Sequence, residues 1–345
     1  MGQEADGISR NLIDWYSREK RDLPWRDTRE PYRIWLSEII LQQTRVAQGL
    51  PYYLNFVDQY PDVFHLADAA ESTVLRTWQG LGYYSRARNL HKAAKIVAYD
   101  MGGKFPNHYA GLIKLPGIGP YTAAAIASLA FGEAVPVLDG NVFRLIARLF
   151  GLDHDIANTS NRKYFMEVLE SLIPTKEPGA FNQAIMEMGA LICTPRQPKC
   201  DQCSVVASCY AYQHKKQDLL PVKIKKVKVR HRTFHYVVFE YEGQLGLRKR
   251  GEKDIWQGLY EFYLFEGDTL RMDKDWGDEV EYSPGFKHVL THQKIEASFY
   301  LIRLSNRSIF EKQLNKYGLT AFTHAQMLIL PKPKLLLNYL EQQNF

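Results

Sequence analysis

Cysteine is scarce in this chain of 345 residues: there are four, all between positions 193 and 209. Disulfide scaffolds spread their cysteines along the sequence, so that architecture is excluded and the four read as a ligand set. Long apolar runs are also missing. The longest stretch of small apolar residues, Thr122 to Phe131, is too short to span a bilayer. The opening MGQEADGISR lacks the apolar centre of a signal peptide, so none is expected. No internal repeat and no low-complexity tract occur. What remains is a globular composition, with a length that suits two domains.

The net charge of +6 is unevenly placed. Between His214 and Arg232 stand eight basic residues, among them Lys225, Lys226, Lys228, Arg230 and Arg232, against the single acid Asp218. This local excess of seven exceeds the charge of the whole chain. Such a run is either a solvated linker or a stretch that follows phosphates.

Apolar residues recur at helical spacing from Asn11 to about Tyr212, as in IWLSEIILQQTRV, YTAAAIASLAF and GNVFRLIARLF. The pattern changes after Pro221. TFHYVVFEYEGQLGLRKR alternates around Glu242-Gly243 as a hairpin does, and GLYEFYLFE and IEASFYLIRL read as further strands. AQMLILPKPKLLLNYLEQQ reads as a loop and then a helix. We therefore expect a mainly α domain over 1–213, a basic linker over 214–230, and an α+β domain over 231–345.

Cys193, Cys200, Cys203 and Cys209 are separated by six, two and five residues. Four close thiolates can hold an iron–sulfur cluster or a structural zinc; the single C-x2-C knuckle favours the cluster, since zinc ribbons pair two. Arg196 and Lys199, between the first two ligands, are either phosphate contacts or plain surface charge. LPGIGPYTAAAI places Gly117 and Gly119 in a turn before a helix, where backbone N–H groups can meet a phosphate. In VPVLDGNVFRL, Asp139 stands just before a helix beginning near Asn141, as a helix cap or a functional acid. Glu38 is an acid in the apolar helix WLSEIIL, either at an exposed position or deliberately buried.

Together with WQGLGYYSRARNLHKAA and FNQAIMEMGALICTPRQPKC, these segments make the chain resemble the endonuclease III-type helix-hairpin-helix glycosylases and, within them, the MutY adenine glycosylases. The resemblance implies a mainly α helix-hairpin-helix domain with a [4Fe–4S] cluster on the four cysteines, followed by a Nudix-like α+β domain. It implies a monomer that removes adenine from double-stranded DNA where it faces 8-oxoguanine; with neither a signal peptide nor a membrane span read from the sequence, a cytoplasmic, nucleoid-associated protein is expected. Glu38 would protonate adenine N7, and Asp139 would stabilise the sugar cation, with Tyr121 and Asn141 beside them. Trp25, Arg26 and Gln183 would line the base pocket, and some relatives carry an acid in place of Gln183. Gln43, Thr44, Leu81 and Tyr83 would meet the duplex at the lesion, and Arg86 and Arg88 would hold phosphates. Read without the family, Trp25 and Tyr83 are ordinary core aromatics and the arginines a solvated helix face. Leu290-Thr291-His292 corresponds to the Phe-Ser-His that reads 8-oxoguanine, with the aromatic lost.

Two further absences narrow the chemistry. The magnesium-holding acid run of Nudix hydrolases does not occur after Arg230, so the second domain should recognise and not hydrolyse. Relatives that also cut the strand carry a lysine in the hairpin, where this chain has Tyr121; a tyrosine forms no Schiff base. The competing readings are a glycosylase-lyase and a DNA-binding adaptor without chemistry.

Overall fold

The computed structural model describes residues 2–224, 229–252, 254–270, 273, 276 and 279–345. The chain divides into two compact units, Met1–Ala67 with Lys92–Lys226 and Asp68–His91 with Val227–Phe345.

The first unit is helical. It holds α1 (Gly2–Glu19), α2 (Pro31–Leu41), α3 (Val46–Gln59) and most of α4 (Val63–Asp68). After α5 (Glu71–Thr77), in the second unit, and α6 (Ser85–Lys95), which starts there, come α7 (Tyr109–Leu112), α8 (Pro120–Phe131) and α9 (Gly140–Phe150). Then follow α10 (Arg162–Leu172), α11 (Pro178–Leu191) and the short α12 (Tyr210–Gln213). α8 is apolar nearly all round, and Thr122 through Ser128 are buried; a helix without a polar face must lie inside a core. Pro120 at its first position and left-handed Gly132 after its last bound it. α11 packs against α1, α8 and α9, and α2 packs against α3 and α8. The core shared by α1, α8, α9, α10 and α11 includes Leu12, Ile146, Phe165, Phe181, Ile185 and Met188.

One buried amide holds the approach to α9. Asn182, on α11, accepts from Val137 N at 3.1 Å and donates to Val135 O at 2.9 Å and Ser128 Oγ at 2.8 Å. Losing any of these leaves a buried polar group unsatisfied, at about 1–3 kcal/mol.

Among the described residues, seven strands of the second unit form one mixed sheet in the order β3-β2-β1-β6-β5, with β4 also on β1 and β7 also on β2. The strands are β1 (Arg230–Tyr241), β2 (Gln244–Lys249), β3 (Tyr260–Glu261), β4 (Tyr263–Glu266), β5 (Val280–Val289), β6 (Gln293–Arg303) and β7 (Thr320–Thr323). β1 and β6 run parallel along their whole length; the other pairs are antiparallel. Phe234, Tyr236, Val237, Val238 and Phe239 bury the centre of β1, as expected for a strand covered on both faces. α13 (Arg307–Tyr317) packs on β1 and α15 (Lys334–Gln342) on β5, after the short α14 (His324–Ile329). The expected hairpin at Glu242-Gly243 is present, with φ of 46° and 75°.

Two segments lie differently from their sequence reading. Residues 68–91, read as part of the helical domain, group with the second unit. Arg88 Nη1 donates to Gln257 O at 2.8 Å, and Lys332 N donates to Gln79 Oε1 at 2.9 Å. The first part of the basic linker is tied to the first unit: Arg148 Nε donates to Leu220 O at 2.9 Å, and Ile224 N to Asp155 Oδ1 at 3.1 Å. Lys225, Lys226 and Lys228 lie outside the described residues. Arg232, counted in the same run, is buried and ion-paired within the second unit.

Candidate active site

Glu38 lies on α2 and is only 8% exposed. Burial raises its carboxyl to about 7; the Asp139 charge adds to this, while a hydrogen bond from Tyr121 and the Arg26 cation oppose it. Tyr121, at the start of α8, also directs its hydroxyl at Met186 Sδ, 3.1 Å away. Burial and the two neighbouring carboxylates hold its phenol well above the ordinary value.

Asp139 caps α9 and faces the same group. Its Oδ1 accepts from Asn141 N at 2.9 Å and Val142 N at 2.8 Å, and its Oδ2 from Asn141 Nδ2 at 3.0 Å. Burial leaves this carboxyl above its ordinary value, and the three N–H donors pull it back toward the anion. The helix cap expected at Asp139 from the sequence is therefore present.

α9 also reaches the cysteines. Asn141 Oδ1 accepts from Arg144 Nη2 at 2.8 Å, and Arg144 Nε donates to Cys193 O at 2.6 Å. One turn on, Arg148 Nη1 lies 3.4 Å from Cys193 Sγ and 2.7 Å from Thr194 O. α11 approaches so closely that a Cβ on Gly189 would stand 2.8 Å from Asn141 Cβ and 2.9 Å from its carbonyl oxygen.

Trp25, Arg26 and Gln183 line one polar cavity of about 360 Å³. Trp25 is buried, its ring edge-on to Tyr53 at 5.0 Å. Arg26 is held by a residue the sequence reading missed. Glu187, 1% exposed, accepts from both Arg26 Nη atoms at 2.8 and 2.7 Å and from Arg21 at 2.8 and 2.5 Å. Despite burial, those guanidinium contacts depress its carboxyl to about 2. Arg26 Nε remains buried without a hydrogen-bond partner.

The four cysteines are free and border one cavity together with Arg148, Lys199 and Gln217. Burial first, and then the neighbouring cysteines, push the Cys203 thiol up to about 11. Among the described residues no group of three or more His, Cys, Asp or Glu is placed to hold a metal ion. Arg196 and Lys199 are exposed on the loop between the first two cysteines.

The description "HhH-GPD superfamily base excision DNA repair protein" matches residues 36–174, and a NUDIX domain matches residues 235–342. An adenine DNA glycosylase of Buchnera aphidicola subsp. Acyrthosiphon pisum is 34% identical over 340 residues, covering 96% of this chain and 97% of that protein. The chain belongs to the adenine DNA glycosylase family. Another member, from Homo sapiens, is 42% identical over 226 residues, 63% of this chain and 41% of the human protein. The solved structure of a thermostable thymine-DNA glycosylase is 32% identical, with a TM-score of 0.56 over 61% of this chain and 98% of that one. A trapped endonuclease III–DNA covalent intermediate, 20% identical with a TM-score of 0.53, shares the fold over 62% of this chain and 98% of its own.

In this member of the adenine DNA glycosylases, Gln43 and Tyr83 are exposed and adopt left-handed backbone, with φ of 54° and 47°. Thr44 beside Gln43 is half-buried. Leu81 is buried, so Tyr83 alone forms the tip of its loop. Arg86 is buried beneath that loop, its guanidinium 5.0 Å from the Trp78 ring, 5.5 Å from the Tyr83 ring and within 3.4 Å of the Leu81 carbonyl oxygen. It lies neither on a solvated face nor out toward a phosphate. Of the hairpin glycines, Gly117 needs its positive φ of 77°, while Gly119 is an extended cap whose Cβ would meet open space. Thr291 and His292 are exposed at the β5–β6 turn beside half-buried Leu290, and the Thr291 hydroxyl hydrogen-bonds that of Tyr83. Among the described residues no helix is long and apolar enough to cross a membrane.

Proposed function

We propose that this protein flips adenine out of a mispair with 8-oxoguanine and hydrolyses its N-glycosidic bond, acting as a monomer at the nucleoid and leaving the strand uncut. The observation that carries the reading is the contrast between its two carboxyls. Glu38 is buried and lifted to about 7, so it can carry a proton at neutral pH; Asp139 accepts from three N–H donors that favour its anion. Pairing a proton donor with an anion is the arrangement glycosidic cleavage requires.

The steps balance on these residues. Glu38 gives its proton to adenine N7, and the bond between C1′ and N9 breaks with its electrons leaving on the base. The sugar cation stands against the Asp139 carboxylate. Water adds to C1′ and returns a proton to Glu38. Arg26 Nε and the Gln183 amide offer hydrogen bonds to the flipped base. Gln43 and Tyr83 fill the stack it leaves; strained backbone at such positions is a mark of function. Gly117 and Gly119 admit a DNA phosphate to the start of α8.

The four thiols suit a [4Fe–4S] cluster: they border one cavity, and a multi-iron cluster is wider than a single ion. When bound, it would lock the segment 193–209 as a covalent clamp and add positive charge that stabilises the thiolates. Anaerobically purified protein should contain about four irons and four sulfides per chain; zinc without sulfide would replace the cluster by a structural ion.

The reading is tested on a duplex with adenine opposite 8-oxoguanine. Strand breaks should appear only after hot alkali; breaks without alkali indicate a lyase, and none under either condition indicates an adaptor. Thr291→Ala with His292→Ala should narrow the preference for adenine opposite 8-oxoguanine over adenine opposite guanine by about fivefold or more, mainly by slowing the former. An unchanged ratio would place lesion reading elsewhere in the second unit.

A further inference from the structure

Gln293 closes the turn that carries Thr291 and His292. Leu290 N donates to Gln293 O at 2.8 Å, and Arg230 N donates to His292 O at 2.9 Å. The Gln293 side chain meets a buried guanidinium, that of Arg232, whose side chain is 4% exposed. Arg232 Nη1 donates to Gln293 Oε1 at 3.0 Å and Asp254 Oδ1 at 2.8 Å, Nη2 to Asp254 Oδ2 at 2.8 Å and Glu266 Oε2 at 2.6 Å, and Nε to Glu266 Oε1 at 2.8 Å. Every N–H of the guanidinium is committed. Asp254 is fixed in turn by Arg250 Nη2 at 2.5 Å and Ile255 N at 2.7 Å.

This network decides which end of the Gln293 amide faces where. A guanidinium only donates, so the atom set against it must be the amide oxygen; the reversed amide would press N–H against N–H. Gln293 also lines a cavity of about 340 Å³ with Tyr83, Trp256, Leu290, Thr291 and His292. With Oε1 drawn to the buried charge, the Nε2 donors are left for the cavity side. On the same cavity, Thr291 Oγ1 shares a hydrogen bond with the Tyr83 hydroxyl. When threonine gives its proton to that bond, its oxygen can only accept from anything else. The cavity lining then offers both an acceptor and a donor. 8-Oxoguanine offers the complement, an N7–H donor beside the O8 acceptor; guanine offers an N7 acceptor beside a C–H.

We propose that Gln293 is a specificity-determining residue: its Nε2 donates to O8 of the lesion while Thr291 Oγ1 accepts from N7–H, and Arg232 sets the direction of the amide. This rests on the reading of Leu290-Thr291-His292 as the part that meets 8-oxoguanine.

The test uses the full chain under sub-saturating single-turnover conditions, with adenine opposite 8-oxoguanine, guanine or 8-bromoguanine. Bromine is bulky at C8 but supplies no oxygen acceptor. Gln293→Leu removes the donor; Gln293→Glu keeps an oxygen toward Arg232 and offers no N–H. Both variants should lose about tenfold in the ratio of 8-oxoguanine to guanine duplex rates, the scale of one base hydrogen bond. The ratio of 8-bromoguanine to guanine rates should stay as in the parent. A parental 8-oxoguanine ratio in both variants, beside a reduced ratio in the Thr291→Ala, His292→Ala protein, overturns this proposal alone. A parental ratio in all three proteins overturns the role of the turn as well. An equal loss on 8-bromoguanine also overturns it, because the disturbance is then one of shape and not of a donor to O8.

Discussion

Single-turnover excision by the Glu38→Gln protein is expected to fall by about three orders of magnitude, within the 10²–10⁴ range of a positioned general acid. Glutamine has the size of glutamate and still hydrogen-bonds Tyr121, so the pocket keeps its shape and only the transferable proton is lost. The unaltered protein should carry the same signature in its pH profile. A carboxyl raised to about 7 is protonated below that value and ionised above it. The chemical rate should therefore fall about tenfold per unit above about pH 8, level off below about pH 6, and fall again at the lower pH where Asp139 takes up its own proton. A Glu38→Gln rate within tenfold of the parent, a barrier change of only about 1.4 kcal/mol, removes Glu38 from this role. So does a parental rate that climbs through neutrality.

Asp139→Asn should lose a similar factor without loss of stability, and that combination separates its two duties. Asparagine caps a helix as well as aspartate does, so α9 should start where it does now and the melting temperature should not move. What disappears is the negative charge beside C1′, and the excision rate should drop about a thousandfold. Asp139→Ala, by contrast, should lose both activity and about 1 kcal/mol of stability. If the asparagine protein melts earlier in proportion to its lost activity, the residue is a cap and no more.

Glu38 and Asp139 stood out as candidates because each breaks a local pattern, an acid in an apolar helix and an acid between an apolar run and a helix start; their proposed roles came from the resemblance. The same first signal marked Glu187 in FNQAIMEMGALI, and the sequence reading left it unused. Its partners Arg21 and Arg26 lie more than 160 positions away, and periodicity carries no information about pairings so distant. Arg232 failed to be legible for the opposite reason. In the sequence it is one more cation in a basic run, and only the strand pairing of β1 with β6 turns it inward toward Asp254, Glu266 and Gln293. β5 was missed because Ser-Pro-Gly interrupts VEYSPGFKHV; the structure absorbs the interruption as an irregularity between Ser283 and Phe286. Residues 68–91 were read as helix within the first domain, and the HhH-GPD match spans them; by contacts they group with the second unit, a pairing that a helix pattern does not name.

The left-handed backbone at Gln43 and Tyr83 has a consequence for how this chain responds to selection. A side chain held there costs roughly 1–2 kcal/mol, and glycine, which is at ease there, gives back roughly 0.5–1 kcal/mol of that in chain entropy. Gln43→Gly should therefore leave stability unchanged or raise it by up to about 1 kcal/mol, readable as a small upward shift in melting temperature; Tyr83→Gly also gives up the ring beside Arg86 and the hydroxyl bond to Thr291, which offset that relief. A laboratory population evolved only to withstand heat would collect glycine at position 43. On the proposed role of Gln43, its survivors would be sturdier proteins, less able to prop open the gap from which a base has been taken.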